Sequence, residues 1–291
     1  MEPTAAILFN GTLTTAGNAD LRFLNRALRL GDGFFETIRV INGRPHAWDA
    51  HYARIVSCCR ALSLEPQPHV DAAFLIRGIH RLLQEHNTPN ARLRLTFFRQ
   101  GGGTYTPETN RLGFIGEIVA LAEGDFQVKD EGLHLGLYTD LKKQRSPLAP
   151  YKLLGNHVYI QAAIWAARHH FDDVLVCNDA GEIIEATASN IFLVRKGELH
   201  TPPAASGCVG GVMRMSVLNA AMEAGIPCYE TQIDEADILS ATEVLLTNAV
   251  KGIAWVRSFR DKRYFHKMGD LLTTALNRRH SEYVATLEAA E

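Results

Sequence analysis

"DDVLVCNDAGEIIEATASNIFLVRKGELHTPP", residues 172–203, reads as two β-hairpins in succession. Short apolar runs are turned at Asn178–Gly181 and again at Lys196-Gly197, and asparagine, aspartate and glycine between such runs mark antiparallel strands. Between the hairpins stands Glu185, followed by the small residues Ala186, Thr187, Ala188 and Ser189. A carboxylate at the end of an apolar strand needs a partner to remain charged. A protonated ring nitrogen would serve. So would solvent, if Glu185 merely ends a hairpin.

Upstream lies "APYKLLGNHVYIQAAIWAARHH", residues 149–170. After Asn156, a candidate cap, Val158, Ala162, Trp165 and His169 recur at offsets of four and three, which predicts a helix. Lys152 stands just before it, where the positive end of a helix dipole disfavours an ammonium ion. The residue is either a surface lysine or an amine kept neutral to act as a nucleophile. Before this segment "LHLGLYTD" predicts a strand. Beyond the hairpins, "GGVMRMSVLNAAMEAGI" predicts a helix entered through glycines and closed by Gly225, and "EVLLTNAVKGIAWVRSF" a strand, a turn and a strand. A terminal helix, "GDLLTTALNRRHSEYVATLEAA", follows.

The N-terminal part alternates differently. Strands are expected at residues 6–9, at Phe34–Val40, at "ARLRLTFFRQ" and at "LGFIGEIVALAE". One helix runs through "DAHYARIVSCCRALSL", with Asp49 as its expected cap and Tyr52, Ile55, Val56, Cys59 and Leu62 as its apolar stripe. A second spans about Val70 to His86. Strands interleaved with helices give an α/β class. With 291 residues two domains are expected, 1–122 as a small α/β domain and 126–291 as a larger one, joined near Gly124-Asp125.

The 46% apolar and 21% charged composition is that of a globular chain, and 30 basic against 32 acidic side chains offer no nucleic-acid or membrane surface. No apolar run approaches membrane-spanning length and no basic segment precedes one at the start, so a cytoplasmic chain is expected. Five cysteines with Cys58 and Cys59 adjacent, and twelve histidines without an HExxH pair, argue against disulfides and a metal site. "GDGFF" and "QGGGTY" lack the spacing of a phosphate fingerprint. "SGCVGGVMR", residues 206–214, instead delivers backbone N–H groups at a helix start, where phosphate binds without side chains.

Taken together, these blocks resemble the fold-type IV, pyridoxal-phosphate-dependent enzymes, the class IV aminotransferases, over nearly the whole chain. "GDGFFETIRVINGRP" followed by "HYARIVSCCRAL" with Arg54 is similar to the family's N-terminal signature, "YKLLGN" to its lysine motif, and "GEIIEATASNIFLVRKGELHTPP" to its core pattern. "GVMR" and "LLTNAVKGI" fall where its two phosphate-binding turns lie. The resemblance implies a larger C-terminal pseudo-barrel domain carrying the catalytic lysine, and pyridoxal 5'-phosphate as cofactor. It implies that Lys152 forms the Schiff base, that Glu185 pairs with the pyridine nitrogen, and that Arg54, Gly211, Val212, Met213, Asn248 and Ala249 hold the phosphate. It also implies a homodimer acting on a small-molecule amino substrate.

Three chemistries belong to the resemblance: amino transfer from branched-chain L-amino acids, amino transfer from D-amino acids, and pyruvate elimination from 4-amino-4-deoxychorismate in folate biosynthesis. "GDGFFETIRV", "GVMR" and "TNA" resemble the lyase form, whereas "KLLGN" keeps the glycine-asparagine pair of branched-chain enzymes, with His157 where a tyrosine commonly follows. A dicarboxylate needs cations. Alternation in 92–99 places Arg92, Arg94, Thr96 and Phe98 on one face, and Leu93, Leu95, Phe97 and Arg99 on the other. Arg99 at the end of the apolar face, next to the glycine loop, is the expected substrate cation. Thr37, Phe35 and Tyr105 are further pocket candidates by resemblance.

Overall fold

The computed structural model describes residues 5–18 and 25–288; the expected terminal helix runs to Glu288, and its last two residues lie outside that range. The chain divides into two compact units, one of residues 1–124 with Tyr151–Gly155, the other of Asp125–Pro150 with Asn156–Glu291.

In the first unit, β1 (Ala6–Phe9), β2 (Thr12–Thr15), β3 (Gly33–Ile41), β4 (Arg44–Pro45), β5 (Ala91–Arg99) and β6 (Leu112–Ala120) form one antiparallel sheet, ordered β2-β1-β6-β5-β3-β4. Short α1 (Arg26–Leu30) precedes β3, and α2 (Trp48–Ala61) and α3 (Ala72–Glu85) follow β4. Period-two alternation sorts the sheet. Phe34, Ile38, Val40, Leu93, Leu95 and Phe97 meet Ile55, Cys58, Leu75, Ile79 and Leu82 of the helices, each large side chain contributing about 2 kcal/mol by leaving water. Phe35, Thr37, Arg92, Arg94 and Thr96 take the opposite face, paired as Phe35 with Thr96 and Thr37 with Arg94. The expected cap of α2 is displaced. Ala47, at φ 51°, occupies the cap position, and Asp49 lies inside the first turn, because the chain enters the helix directly from β4.

The second unit contains β7 (Leu133–Lys143), α4 (His157–Arg168), β8 (Asp173–Asn178), β9 (Ile183–Ala186), β10 (Asn190–Arg195), β11 (Glu198–Thr201), α5 (Val212–Glu223), β12 (Cys228–Glu230), α6 (Glu235–Ser240), β13 (Glu243–Asn248), β14 (Gly252–Phe259), β15 (Lys262–Arg263) and α7 (Lys267–Glu288). Six strands close on themselves in the order β10-β13-β14-β7-β8-β9, with Asn190 facing Glu185 at the closure. This is a barrel, and its core gathers Leu135, Leu175, Ile191, Leu193, Leu246 and Val256. On the outside, α4 lays Ala162 and Ala166 against Tyr138, Val174 and Val176. Both expected hairpins are present, β8–β9 and β10–β11; Lys196 and Gly197 take the left-handed conformations that a two-residue turn requires. Asn156 stands at the cap position of α4, but its side chain makes no capping bond.

Candidate active site

Within the second unit, Glu185 is 3% exposed at the barrel's closure. Its Oε1 accepts from Lys143 Nζ at 2.9 Å and from the Tyr159 hydroxyl at 2.6 Å, and its Oε2 accepts from the Val209 N–H at 2.9 Å. Burial first, and then the Glu185 charge, push the Tyr159 phenol far up, so it stays a donor. A carboxylate offers about four acceptor positions, and three are taken here. The remaining one lies on Oε2.

Beyond Val209, Gly210 and Gly211 lead into α5, whose N-terminus has no side-chain cap although Val212, Met213 and Arg214 are buried. A buried helix start without a cap leaves N–H groups wanting an acceptor, and an anion is the acceptor that suits the dipole. A methyl group on Gly211 would run into Asn190 Oδ1, so the backbone there has room only for glycine. The neighbouring turn organises itself: Asn248 Oδ1 accepts from the N–H groups of Val250 and Lys251, and its amide donates to Ser189 Oγ at 3.0 Å. Thr247, which pairs with Asn190 across the ladder, has a buried hydroxyl without a hydrogen-bond partner. The spare acceptor, the uncapped buried helix start and the orphaned hydroxyl fit the ring nitrogen and phosphate of pyridoxal phosphate.

The first unit carries the other expected residues. Lys152 does not stand on α4. Its segment pairs with β3 instead: Phe35 N–H donates to the Lys152 carbonyl at 2.9 Å, and Leu154 N–H donates to the Gly33 carbonyl at 3.0 Å. The helix-dipole argument for Lys152 therefore falls away, since α4 begins five residues later. Tyr151 and Leu153 pack against the helix-covered core, which leaves Lys152 on the other face, with Nζ 5.3 Å from the centre of the Phe35 ring. Arg94 joins it there, its guanidinium 3.8 Å from the same ring and its Nε in a long 3.4 Å contact to Thr96 Oγ1. Arg54 sits on α2 and donates through Nε and Nη2 to both oxygens of Glu36, each at 2.7 Å. His51 Nδ1 lies 2.8 Å from Glu36 Oε2. Burial pushes the Glu36 carboxyl up, but the bonds and charges of His51 and Arg54 outweigh it and bring it down to about 2. Burial pushes the His51 imidazole down, so it is the neutral donor to an ionised Glu36.

Arg99 has a different occupation from the one expected. It donates from Nε to Asp32 at 3.0 Å, from Nη1 to Asn110 Oδ1 at 2.5 Å and the Ser63 carbonyl at 3.1 Å, and from Nη2 to the Leu62 carbonyl at 2.7 Å. Four of its five donors are spent, two on carbonyls just past the end of α2 and one each on Asp32 and Asn110, and this makes it a structural staple. The glycine loop is likewise held from below: Arg26, 3% exposed, donates to the carbonyls of Gly102 and Thr104, and Glu108 accepts from Gly102 N–H. Tyr105 at the loop's tip is 91% exposed, while Phe35 and Thr37 are half-buried beside Arg94.

Sequence reasoning missed Lys143 and Tyr159 as partners of Glu185, Glu36 and His51 as partners of Arg54, and Arg94 as the neighbour of Lys152 at the Phe35 ring. For Tyr159 a signal existed, since it follows by two residues the histidine that stands where a tyrosine was expected. Arg94 was placed on its correct face but passed over for Arg99.

A two-unit α/β chain with a closed six-stranded barrel, a buried carboxylate and an anion-ready helix start defines an enzyme fold built to hold a phosphorylated heterocycle. The chain matches the amino-transferase class IV family over residues 33–259 and belongs to it; it is thus an enzyme that uses pyridoxal phosphate. An aminodeoxychorismate lyase from Vibrio harveyi is 26% identical over 237 residues, covering 79% of this chain and 84% of that one. A D-alanine aminotransferase from Bacillus licheniformis is 25% identical over 259 residues, 87% of each chain. The crystal structure of a branched-chain aminotransferase from Thermoproteus uzoniensis superposes with a TM-score of 0.83 at 19% identity, covering 96% of this chain and 97% of that one. No helix among the described residues is long and apolar enough to cross a membrane.

Proposed function

We propose that the protein is a 4-amino-4-deoxychorismate lyase, releasing 4-aminobenzoate and pyruvate for folate biosynthesis. The observation that carries this reading is the pairing of Lys152 and Arg94 at one aromatic ring, with Nζ 5.3 Å and the guanidinium 3.8 Å from the centre of Phe35. An unsaturated ring bearing carboxylates suits an aromatic surface flanked by an amine and a guanidinium. In this reading Arg94 takes the substrate role first expected of Arg99, with Phe35, Thr37 and Tyr105 around it. The three motif likenesses and the Vibrio harveyi relative support the same choice.

Bound pyridoxal phosphate supplies an electron sink for a carbanion. The chain supplies the rest. Lys152 Nζ removes the proton from the substrate carbon beside nitrogen and returns one. Glu185 would hold the ring nitrogen through the acceptor position left on Oε2. Arg54, held in orientation by Glu36, and the N–H groups of Val212, Met213 and Ala249 would bind the phosphate, with Gly211 giving the backbone room to approach it and Asn248 shaping the second turn through its side chain. Phe35 keeps water from the reacting atoms. The enzyme acts as a homodimer in the cytoplasm, and the 91% exposure of Tyr105 suits a side chain that is completed by a second copy.

A second reading, a branched-chain or D-amino acid aminotransferase, draws on the same pocket face: Arg94 is one cation beside an aromatic slot, which suits a single carboxylate and an apolar side chain. Side-by-side assays with 4-amino-4-deoxychorismate, leucine plus 2-oxoglutarate, and D-alanine plus 2-oxoglutarate separate them. Aminobenzoate formation is expected. Rapid leucine or D-alanine turnover without aminobenzoate would transfer the assignment to a transaminase.

A further inference from the structure

Glu185 does not wait for its cofactor as a bare carboxylate. Lys143, 9% exposed, reaches it at 2.9 Å, spends a second donor on the Ala149 carbonyl at 3.0 Å, and lies 5.3 Å from the centre of the Tyr159 ring. Lysines are seldom buried this far unless paired, and this pair is a one-to-one match of charges. Strand geometry had to be broken to make it. Tyr138 packs toward α4, and strict alternation over the next five residues would put Lys143 on the opposite face. The β7–β8 register shifts between Tyr138 and Lys143, leaving Lys143 opposite Asn178 on the Glu185 side.

We propose that Lys143 is the built-in counter-charge of Glu185, and so a positioning residue that weakens the hold of this carboxylate on the cofactor's ring nitrogen. The proposal rests on the assignment of Glu185 to that nitrogen. The free acceptor position on Oε2 lets the ring N–H bind, but its positive charge then shares one carboxylate with the Lys143 ammonium. A like charge at 4–6 Å lowers proton affinity by about tenfold or more. The ring nitrogen is therefore less completely protonated here than beside an uncompensated carboxylate, and the electron sink is correspondingly milder. Tyr159 and the Val209 N–H add no charge, so Lys143 alone sets this balance.

The test compares two probes on the full-length chain stripped of cofactor: pyridoxal phosphate, and its 1-deaza analogue, in which carbon replaces the ring nitrogen. Both form the same bond with Lys152, so their affinity ratio reports on the nitrogen alone. Wild type should discriminate only weakly. Lys143→Met, similar in shape and uncharged, should raise the preference for the natural cofactor by about tenfold or more, and Lys143→Arg should keep it at the wild-type value. If wild type already discriminates strongly, Glu185→Gln abolishes this, and Lys143→Met leaves it unchanged, then Lys143 is refuted while the Glu185 assignment stands. If neither wild type nor Lys143→Met discriminates, both fall. Should Lys143→Met not fold, the double variant with Glu185→Gln, which removes both charges, must recover the fold; a double variant that stays unfolded overturns the pairing.

Discussion

Replacing Glu36 with glutamine removes one charge from the Glu36–His51–Arg54 cluster with little change of shape, and the cost follows from the structure. The Glu36 carboxyl, 1% exposed, is pushed up by burial yet brought from 4.5 down to about 2 by His51 and Arg54. At about 1.4 kcal/mol for each tenfold change in proton affinity, ionised Glu36 is worth about 3 kcal/mol to the fold. The folded value lies below the unfolded one, so this stability is fully present above 4.5 and is lost as pH falls from there toward about 2. By pH 3 about 2 kcal/mol of it is gone. Glu36→Gln also takes the Glu36 charge away from the Arg54 guanidinium, 10% exposed. A loss of about 2–4 kcal/mol at pH 7 is expected, with the gap to wild type narrowing by about 2 kcal/mol by pH 3. Urea unfolding of the cofactor-free protein, followed by tryptophan fluorescence at matched pH, measures both quantities; the cofactor must be absent because ligand binding itself raises apparent stability. A loss under about 0.5 kcal/mol, or a gap that stays constant down to pH 3, would refute the assignment of Glu36 as a buried, ionised anchor.

Arg99→Met should destabilise the protein by about 2–3 kcal/mol, since it leaves Asp32 to Arg26 alone and strands two partly buried carbonyls; catalytic rate per folded molecule, measured after correcting for unfolded protein, should hardly change. A large rise in KM with unchanged stability would return Arg99 to the substrate pocket. Gly211→Ala forces the start of α5 against Asn190 and should weaken pyridoxal phosphate binding by about tenfold or more, read as the cofactor concentration needed to restore the visible band. Unaltered affinity would detach α5 from the phosphate. Light scattering at working concentration should give twice the chain mass of 32.2 kDa, and a fully active monomer would remove the shared-site reading.

The sequence by itself determined whatever depends on neighbours along the chain. Both hairpins at Asn178–Gly181 and Lys196-Gly197 were legible because turn residues with positive φ act locally, and the helix α2 because apolar side chains such as Ile55 and Cys59 recur at the helical period. Glu185 was legible as a carboxylate in need of a partner. What it pairs with was not. Lys143 is one of two adjacent lysines at a strand end, and alternation assigns it to the wrong side; only the register shift against β8 turns it inward. Nor did local pattern reveal that Lys152 belongs to the first unit. Its carbonyl accepts from Phe35 N–H and its neighbour Leu154 donates to the Gly33 carbonyl, partners more than a hundred residues away in sequence. Arg99 and Arg94 were sorted correctly onto opposite faces, yet which of them is spent depends on acceptors that converge from elsewhere. Leu62, Ser63, Asn110 and Asp32 converge on Arg99, whereas Arg94 faces an aromatic ring. A cation's availability is set by the acceptors around it, and folding brings those acceptors together from segments whose sequences do not refer to one another.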